Sequence, residues 1–250
     1  MDLLEKITAA LAPHGLNLIG TTPIAAYEAL VPSQHHIASL LPQAKTVVVI
    51  GNGGGEFWNR FRAHCQARPG YLQTHAHPLD DYTVETIETA LAPCLRSADA
   101  VYRYLYPFRF RTEPASFMHL ARAAGLAGPS ILGVVIHPEY GPWLALRAAL
   151  LLDQHLAALP PASGFDPCPT CRERPCLAAC PATAIGLETG WDIPACVQHR
   201  LRSPHDCTNH CHARYECIYG RAHRYPPDEL QYHQQRSFAE MRKYFENRDC

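Results

Sequence analysis

A chain of 250 residues with 47% hydrophobic content can bury a real core, as one large domain or as one domain with a small appendage. Lys and Arg total 22 against 23 Asp and Glu, a formal net charge of -1, so the sequence carries no electrostatic footprint for nucleic acid or for a strongly acidic membrane surface. The longest apolar run, Trp143 to Leu152, is too short for a membrane span and is interrupted by Arg147. The N-terminus lacks the basic region, long apolar stretch and cleavage site of an export signal, so a cytoplasmic protein with no membrane or nucleic-acid partner is expected.

Leu3, Leu4, Ile7, Ala10 and Leu11 recur at helical spacing over residues 2–13, and Pro13 with Gly15 ends the helix. Leu16 to Ile19 reads as a short strand. Thr46 to Ile50 is β-branched and continuous, which suits a buried strand. Gly51-Asn52-Gly53-Gly54-Gly55 then turns the chain into a predicted helix from Glu56 to Ala67. Residues 79–97 read as helix, Val101 to Tyr106 as strand, Ser116 to Ala124 as helix and Ile131 to Ile136 as strand. Trp143 to Leu152 fits either a buried strand or a helix. Strands alternating with helices predict an α/β or α+β body. Leu159 to Gly164 reads as a linker, so the predicted boundaries are 1–158 for the body and 165–250 for the rest. Pro227 to Asn247 reads as a polar helix.

Beyond the linker the chain is rich in Cys, His, Pro and Arg and poor in aliphatic runs, so its order must come from something other than a large core. Eight of the eleven cysteines fall between Cys168 and Cys217, while Cys65, Cys94 and Cys250 stand apart. In a chain with no export signal such a cluster reads as metal binding before disulfides. The first run is Cys168-x2-Cys171-x4-Cys176-x3-Cys180-Pro181. It differs from the ferredoxin spacing C-x2-C-x2-C-x3-C-P by two extra residues before Cys176. In two-cluster ferredoxins the last Cys of the run serves the other cluster, and further ligands exist here: Cys196, Cys207, Cys211 and Cys217. Two 4Fe–4S clusters need eight thiolates. On that pattern Cys168, Cys171, Cys176 and Cys217 hold one, and Cys180, Cys196, Cys207 and Cys211 hold the other. A structural zinc pair, with His205, His210 or His212 as substitute ligands, and one cluster plus zinc are the competing readings.

The cysteine pattern resembles the cluster domain of epoxyqueuosine reductases, a family that pairs two 4Fe–4S clusters with a cobalamin, and reductive dehalogenases look similar in outline. Ala123-Ala124-Gly125-Leu126-Ala127-Gly128 and His137-Pro138-Glu139-Tyr140-Gly141-Pro142-Trp143 also resemble the reductase. The body is similar to cobalamin-processing proteins of the cblC type: Leu11-Ala12-Pro13-His14-Gly15-Leu16, His77 to Tyr82, Ile136 to Arg147, and Arg224 to Tyr232 carry that likeness. The resemblance implies an α+β fold, a nitroreductase-like corrinoid-binding-type body with a C-terminal ferredoxin-like two-cluster iron–sulfur module. It implies an iron–sulfur oxidoreductase that passes electrons to a corrinoid, supplied by a low-potential donor such as a ferredoxin, flavodoxin or reductase. Ferredoxin-type clusters reach about −400 mV, low enough to suit corrinoid reduction. The alternative is a ferredoxin-like electron carrier without corrinoid. One departure stands out: the reductases' acidic proton donor falls near Arg111 in this sequence.

Among the remaining features, Gly51 to Gly55 after a strand is a candidate phosphate cradle or a permissive turn. His137, Tyr140, Gly141 and Trp143 lie in or beside a Pro/Gly-rich loop and are candidate corrinoid contacts, or a tight turn packed by aromatics. Arg147 inside an apolar run needs a partner, either a cofactor or cosubstrate group or a structural ion pair.

Overall fold

The computed structural model describes residues 1–157 and 165–246; the predicted linker at 159–164 and Cys250 lie outside them. The chain divides into two units, one of Met1–Ala127 with Leu144–Ser163 and one of Gly128–Trp143 with Gly164–Cys250. Gly128–Trp143 therefore groups with the cysteine-rich part and not with the body, as the boundaries above had it. Its backbone explains why. A Cβ on Gly128 would strike the Phe165 carbonyl, and one on Gly141 would strike the carbonyl of Tyr219.

In the first unit, α1 (Leu3–Leu11) opens with a capping box. The Asp2 carboxylate accepts from the Glu5 N–H at 2.8 Å, and Glu5 accepts from the Asp2 N–H at 2.9 Å. Leu4, Ile7 and Leu11 form its buried stripe. A short 3-10 turn, Ala12–His14, ends at Gly15 with φ +76. β1 (Leu18–Pro23) begins two residues beyond the start of its predicted run. Then come α2 (Ile24–Glu28), β2 (Thr46–Gly53), α3 (Glu56–Ala67), α4 (Tyr71–Thr74), α5 (Pro78–Ser97), β3 (Tyr102–Leu105), α6 (Phe117–Ala123) and β4 (Leu144–Leu152).

The four strands make one antiparallel sheet in the order β1-β2-β4-β3. β2 and β4 are central, and every residue of β2 is buried. A strand paired on both edges and covered on both faces has no polar side, which is why both read as continuous apolar runs. Centrality thus settles Trp143–Leu152 as a strand from Leu144 onward. β3 lies at an edge, exposed at Tyr102 and Arg103 and buried only at Leu105. α1 packs on α5, α3 on β2, and α6 on β1 and β4. The Tyr27 hydroxyl ties loops together, accepting from the Ser116 N–H at 2.8 Å and donating to the His35 carbonyl at 2.9 Å.

Two predicted elements differ. Gly51-Asn52-Gly53 is not a turn: β2 runs through it, with a register shift against β4 between Ile50 and Gly51. Only Gly54, with φ +69, and Gly55 turn the chain into α3. The run is buried sheet, which removes it as an open phosphate cradle. The second difference is Ile131–Ile136, where no strand forms. The Ser130 hydroxyl donates to the Val134 carbonyl at 2.6 Å and accepts from the Leu132 N–H at 3.2 Å, folding the segment around Gly133 at φ +73. Only single bridges remain, Gly128 to Ile136 and His137 to Gly141.

Gly15 and Gly70 both have positive φ, +76 and +87, but a Cβ at Gly15 would stand 2.6 Å from the Phe57 nitrogen, whereas one at Gly70 meets nothing within 4 Å. Gly70→Ala should lose about 1–2 kcal/mol in urea unfolding. Gly15→Ala should lose a further ~1–3 kcal/mol from overpacking. Equal losses would mean that the Gly15 contact is not formed in solution.

Candidate metal centre

The second unit is organised around two short helices, α7 (Pro175–Ala179) and α9 (His212–Glu216). They pack on each other through Cys176 and Ala213, with Ile185 completing a small core edged by Leu132, Leu177 and Trp191. Between them the chain makes a small hairpin, β5 (Ile185–Gly186) with β6 (Gly190–Trp191), and then α8 (Ile193–Arg202). α8 starts at Asp192, whose carboxylate accepts from the Ala195 N–H at 2.9 Å, and carries Cys196 in its first turn. The long helix α10 (Pro227–Glu246) closes the unit.

α7 and α9 each feed two cavities. Cys176 lies in the first turn of α7 and Cys180 caps its end; Cys211 caps the start of α9 and Cys217 caps its end. One cavity, of about 20 Å³, is lined by Cys168, Cys171, Cys176 and Cys217 together with Ile131, Ile136 and Arg174. The other, of about 150 Å³, is lined by Cys180, Cys196, Cys207 and Cys211 together with Trp191, Arg200 and Met241. Four cysteines thus meet at each cavity, and neither helix serves only one. The two extra residues before Cys176 are absorbed in a turn. Arg174 takes φ +45, its Nε donates to the Cys171 carbonyl at 2.8 Å, and its Nη2 donates to the Pro169 carbonyl at 3.3 Å.

None of these cysteines is in a disulfide. Burial pushes the thiols of Cys168, Cys176, Cys211 and Cys217 up, and Cys207 rises to about 11 through burial and then through Cys211 and Cys196. Backbone N–H groups oppose this at Ile131 toward Cys168, at Arg214 toward Cys211 and at Tyr219 toward Cys217. The Ala184 N–H donates to Cys180 Sγ at 3.4 Å. Crowded thiols, buried at Cys176 and Cys217 and half-buried at the other six, that receive N–H donors are a donor set that could hold a soft, highly charged metal group. Among the described residues no three His, Cys, Asp or Glu side chains converge tightly enough for a single metal ion.

The five residues expected to meet a corrinoid have separate surroundings. His137, Tyr140 and Gly141 share one turn of the second unit. His137 Nδ1 accepts from the N–H groups of Glu139 at 3.0 Å and Tyr140 at 3.2 Å, and its ring lies beside Tyr140. Burial pushes His137 below its ordinary value. Gly141 is taken up by packing on Tyr219 and Gly220. Trp143 is fully buried, edge-on to Tyr215 and Tyr225 with the Arg214 guanidinium over its ring. Arg147 belongs to the first unit, on β4. Its Nε donates to Asn52 Oδ1 at 2.7 Å and its guanidinium lies over the Phe57 ring. One partner of this arginine in an apolar run is thus an asparagine from the Gly-rich run.

Arg200 escaped the sequence reading. Its signal was its place four residues after Cys196, one helical turn along the same face of α8.

No sequence-family profile and no curated protein matches the chain. Its fold, however, is that of known structures. The epoxyqueuosine reductase of Streptococcus thermophilus aligns over 92% of this chain and 70% of its own, with 17% identity and a TM-score of 0.63. A second epoxyqueuosine reductase structure, in complex with a modified tRNA stem loop, aligns over 89% of this chain and 66% of its own, with 14% identity and a TM-score of 0.55. The C. elegans B12-trafficking protein CblC aligns over 93% of this chain and 94% of its own, with 13% identity and a TM-score of 0.56. Reductive dehalogenases share the fold as well. The chain therefore spans about two thirds of the reductases and nearly all of CblC. Because one structure of this fold carries tRNA, a near-zero net charge does not support excluding a nucleic-acid partner. No described helix is long and apolar enough to cross a membrane.

The raised Cys207 thiol stays protonated below about pH 11. In iron-free protein its alkylation by iodoacetamide should climb about tenfold per pH unit from neutral pH upward. A plateau already near pH 9 would show that the buried arrangement is lost without metal.

Proposed function

We propose that the chain is an iron–sulfur oxidoreductase that takes electrons from a low-potential donor onto two 4Fe–4S clusters and passes them to a corrinoid. The observation that carries the cluster part is the meeting of four cysteines at each of two cavities, with α7 and α9 contributing to both. Cys168, Cys171, Cys176 and Cys217 would hold one cluster, and Cys180, Cys196, Cys207 and Cys211 the other. When bound, such clusters supply one-electron storage at low potential. The residues of the chain do the rest. Ile131, Ile136 and Ile218 keep water from the first set, and backbone N–H groups hold the sulfurs in place. The corrinoid part is supported by the fold shared with a B12-trafficking protein and with reductases. His137 and Tyr140 are its candidate contacts. The burial of Trp143 and Gly141 favours a second reading, an electron carrier that holds no corrinoid.

Anaerobically purified protein should contain about eight irons per chain, with matching sulfide. Cys217→Ala alone and Cys180→Ala alone should each leave about four. Cys168→Ala with Cys217→Ala should still leave about four, whereas Cys180→Ala with Cys217→Ala should leave close to none. Close to no iron in Cys168→Ala with Cys217→Ala would refute the exchange of Cys180 and Cys217 between sets. Zinc instead of iron would refute the clusters. Titration with cob(II)alamin should convert its EPR signal to a base-off form; an unchanged signal would leave the electron carrier.

A further inference from the structure

The two cavities differ in the charge beside them. Arg200 lines the cavity of Cys180, Cys196, Cys207 and Cys211 and is only 5% exposed. Its Nη2 donates to the Gln234 carbonyl at 2.9 Å, its Nη1 reaches Met241 Sδ at 3.3 Å, and its guanidinium lies 4.7 Å from the centre of the Phe238 ring. None of these partners carries a net charge. The ionisable neighbours that act on it are the thiols of Cys196, Cys207 and Cys211. An arginine cannot shed its proton, and a buried cation without a counter-ion is costly, so this site must hold negative charge. Arg214 also lines the cavity and its charge favours the Cys211 thiolate, but its Nε and Nη2 are spent on the Pro142 carbonyl and its guanidinium lies over Trp143 and Tyr225. At the first cavity the lining arginine is Arg174, half-buried and committed to the carbonyls of Cys171 and Pro169. Solvent screens it more than Arg200.

We propose that Arg200 sets the order of the two reduction potentials, making the centre at Cys180, Cys196, Cys207 and Cys211 the higher of the pair and the resting place of the first electron. The inference builds on the two-cluster reading above. The step is the transfer of one electron from a one-electron donor, which is oxidised as the centre is reduced; no bond or proton changes. The reduced centre carries one more negative charge, and a fixed buried cation stabilises that charge in a medium that screens poorly. Net charge and hydrogen bonding near the sulfurs are among the levers that set such potentials.

The test is an anaerobic dithionite titration of the full chain with redox mediators, followed by EPR, with iron content measured for every protein. Wild-type protein should show two separate midpoints. Arg200→Gln should lower the higher one and leave the other in place. Arg200→Lys, which keeps the charge, should retain most of the separation, and Arg174→Gln should preserve the order. In a Cys217→Ala background, which loads only the Arg200 centre, Arg200→Gln should lower the single midpoint; in a Cys180→Ala background it should change nothing. If Arg200→Gln fails to retain iron, the two single-centre proteins decide, since the midpoint in Cys217→Ala must lie above that in Cys180→Ala. Full iron with an unmoved higher midpoint, or the reverse order in the single-centre proteins, overturns the role of Arg200. Absence of iron from wild-type protein overturns the two-cluster reading instead.

Discussion

Eight thiols crowded around two five-residue helices, which supply four of them, are the constraint on which the second unit depends. Each thiol is easy to bury while neutral and hard to bury as an anion beside its neighbours, which is why burial drives several of them upward. A core of Cys176, Ile185 and Ala213 is too small to impose that crowding by hydrophobic burial alone. The fold meets the demand with backbone devices: a left-handed residue at Arg174, another at Thr183, and glycines that let chains touch at Gly128, Gly133 and Gly141. These positions bring the cysteines toward the two cavities. The reciprocal use of α7 and α9 then couples the two sets through rigid elements only one or two turns long.

The first unit solves a different problem. Its central strands, β2 and β4, are paired on both edges, so any polar group on them must be satisfied inside the sheet. Arg147 and Asn52 do this for each other across neighbouring strands, and Phe57 at the start of α3 covers the guanidinium. Together these contacts keep the strand in register around a buried charge.

The fold was legible where a single period or a short spacing controls the outcome. The stripe of α1, the bounds Glu56–Ala67 of α3 and the buried run of β2 follow from local pattern. The gathering of four cysteines at each of two cavities was legible in part, because short spacings such as Cys168-x2-Cys171 keep the thiols close in the chain. Legibility failed where tertiary contact overrides local chemistry. Gly51 and Gly53 look like a turn, yet a bulge and a close carbonyl at Ala145 keep them in sheet. Ile131–Ile136 has strand composition, yet one serine hydroxyl folds it back. Arg200 was hidden because a charged residue in a polar helix reads as solvated until the helix is known to be backed by another.

That backing helix has a practical consequence. α10 lines the second cavity with Gln234, Ser237 and Met241 and holds Arg200 from behind. Among the described residues the first cavity has no such wall and is closed by short loops and isoleucines. On the two-cluster proposal the sulfurs would hold iron that dioxygen strips once a site opens, so fraying α10 would expose one set to air while sparing the other. An affinity tag fused after α10 is therefore the riskier choice for preparing this protein, and a tag ahead of α1 the safer one.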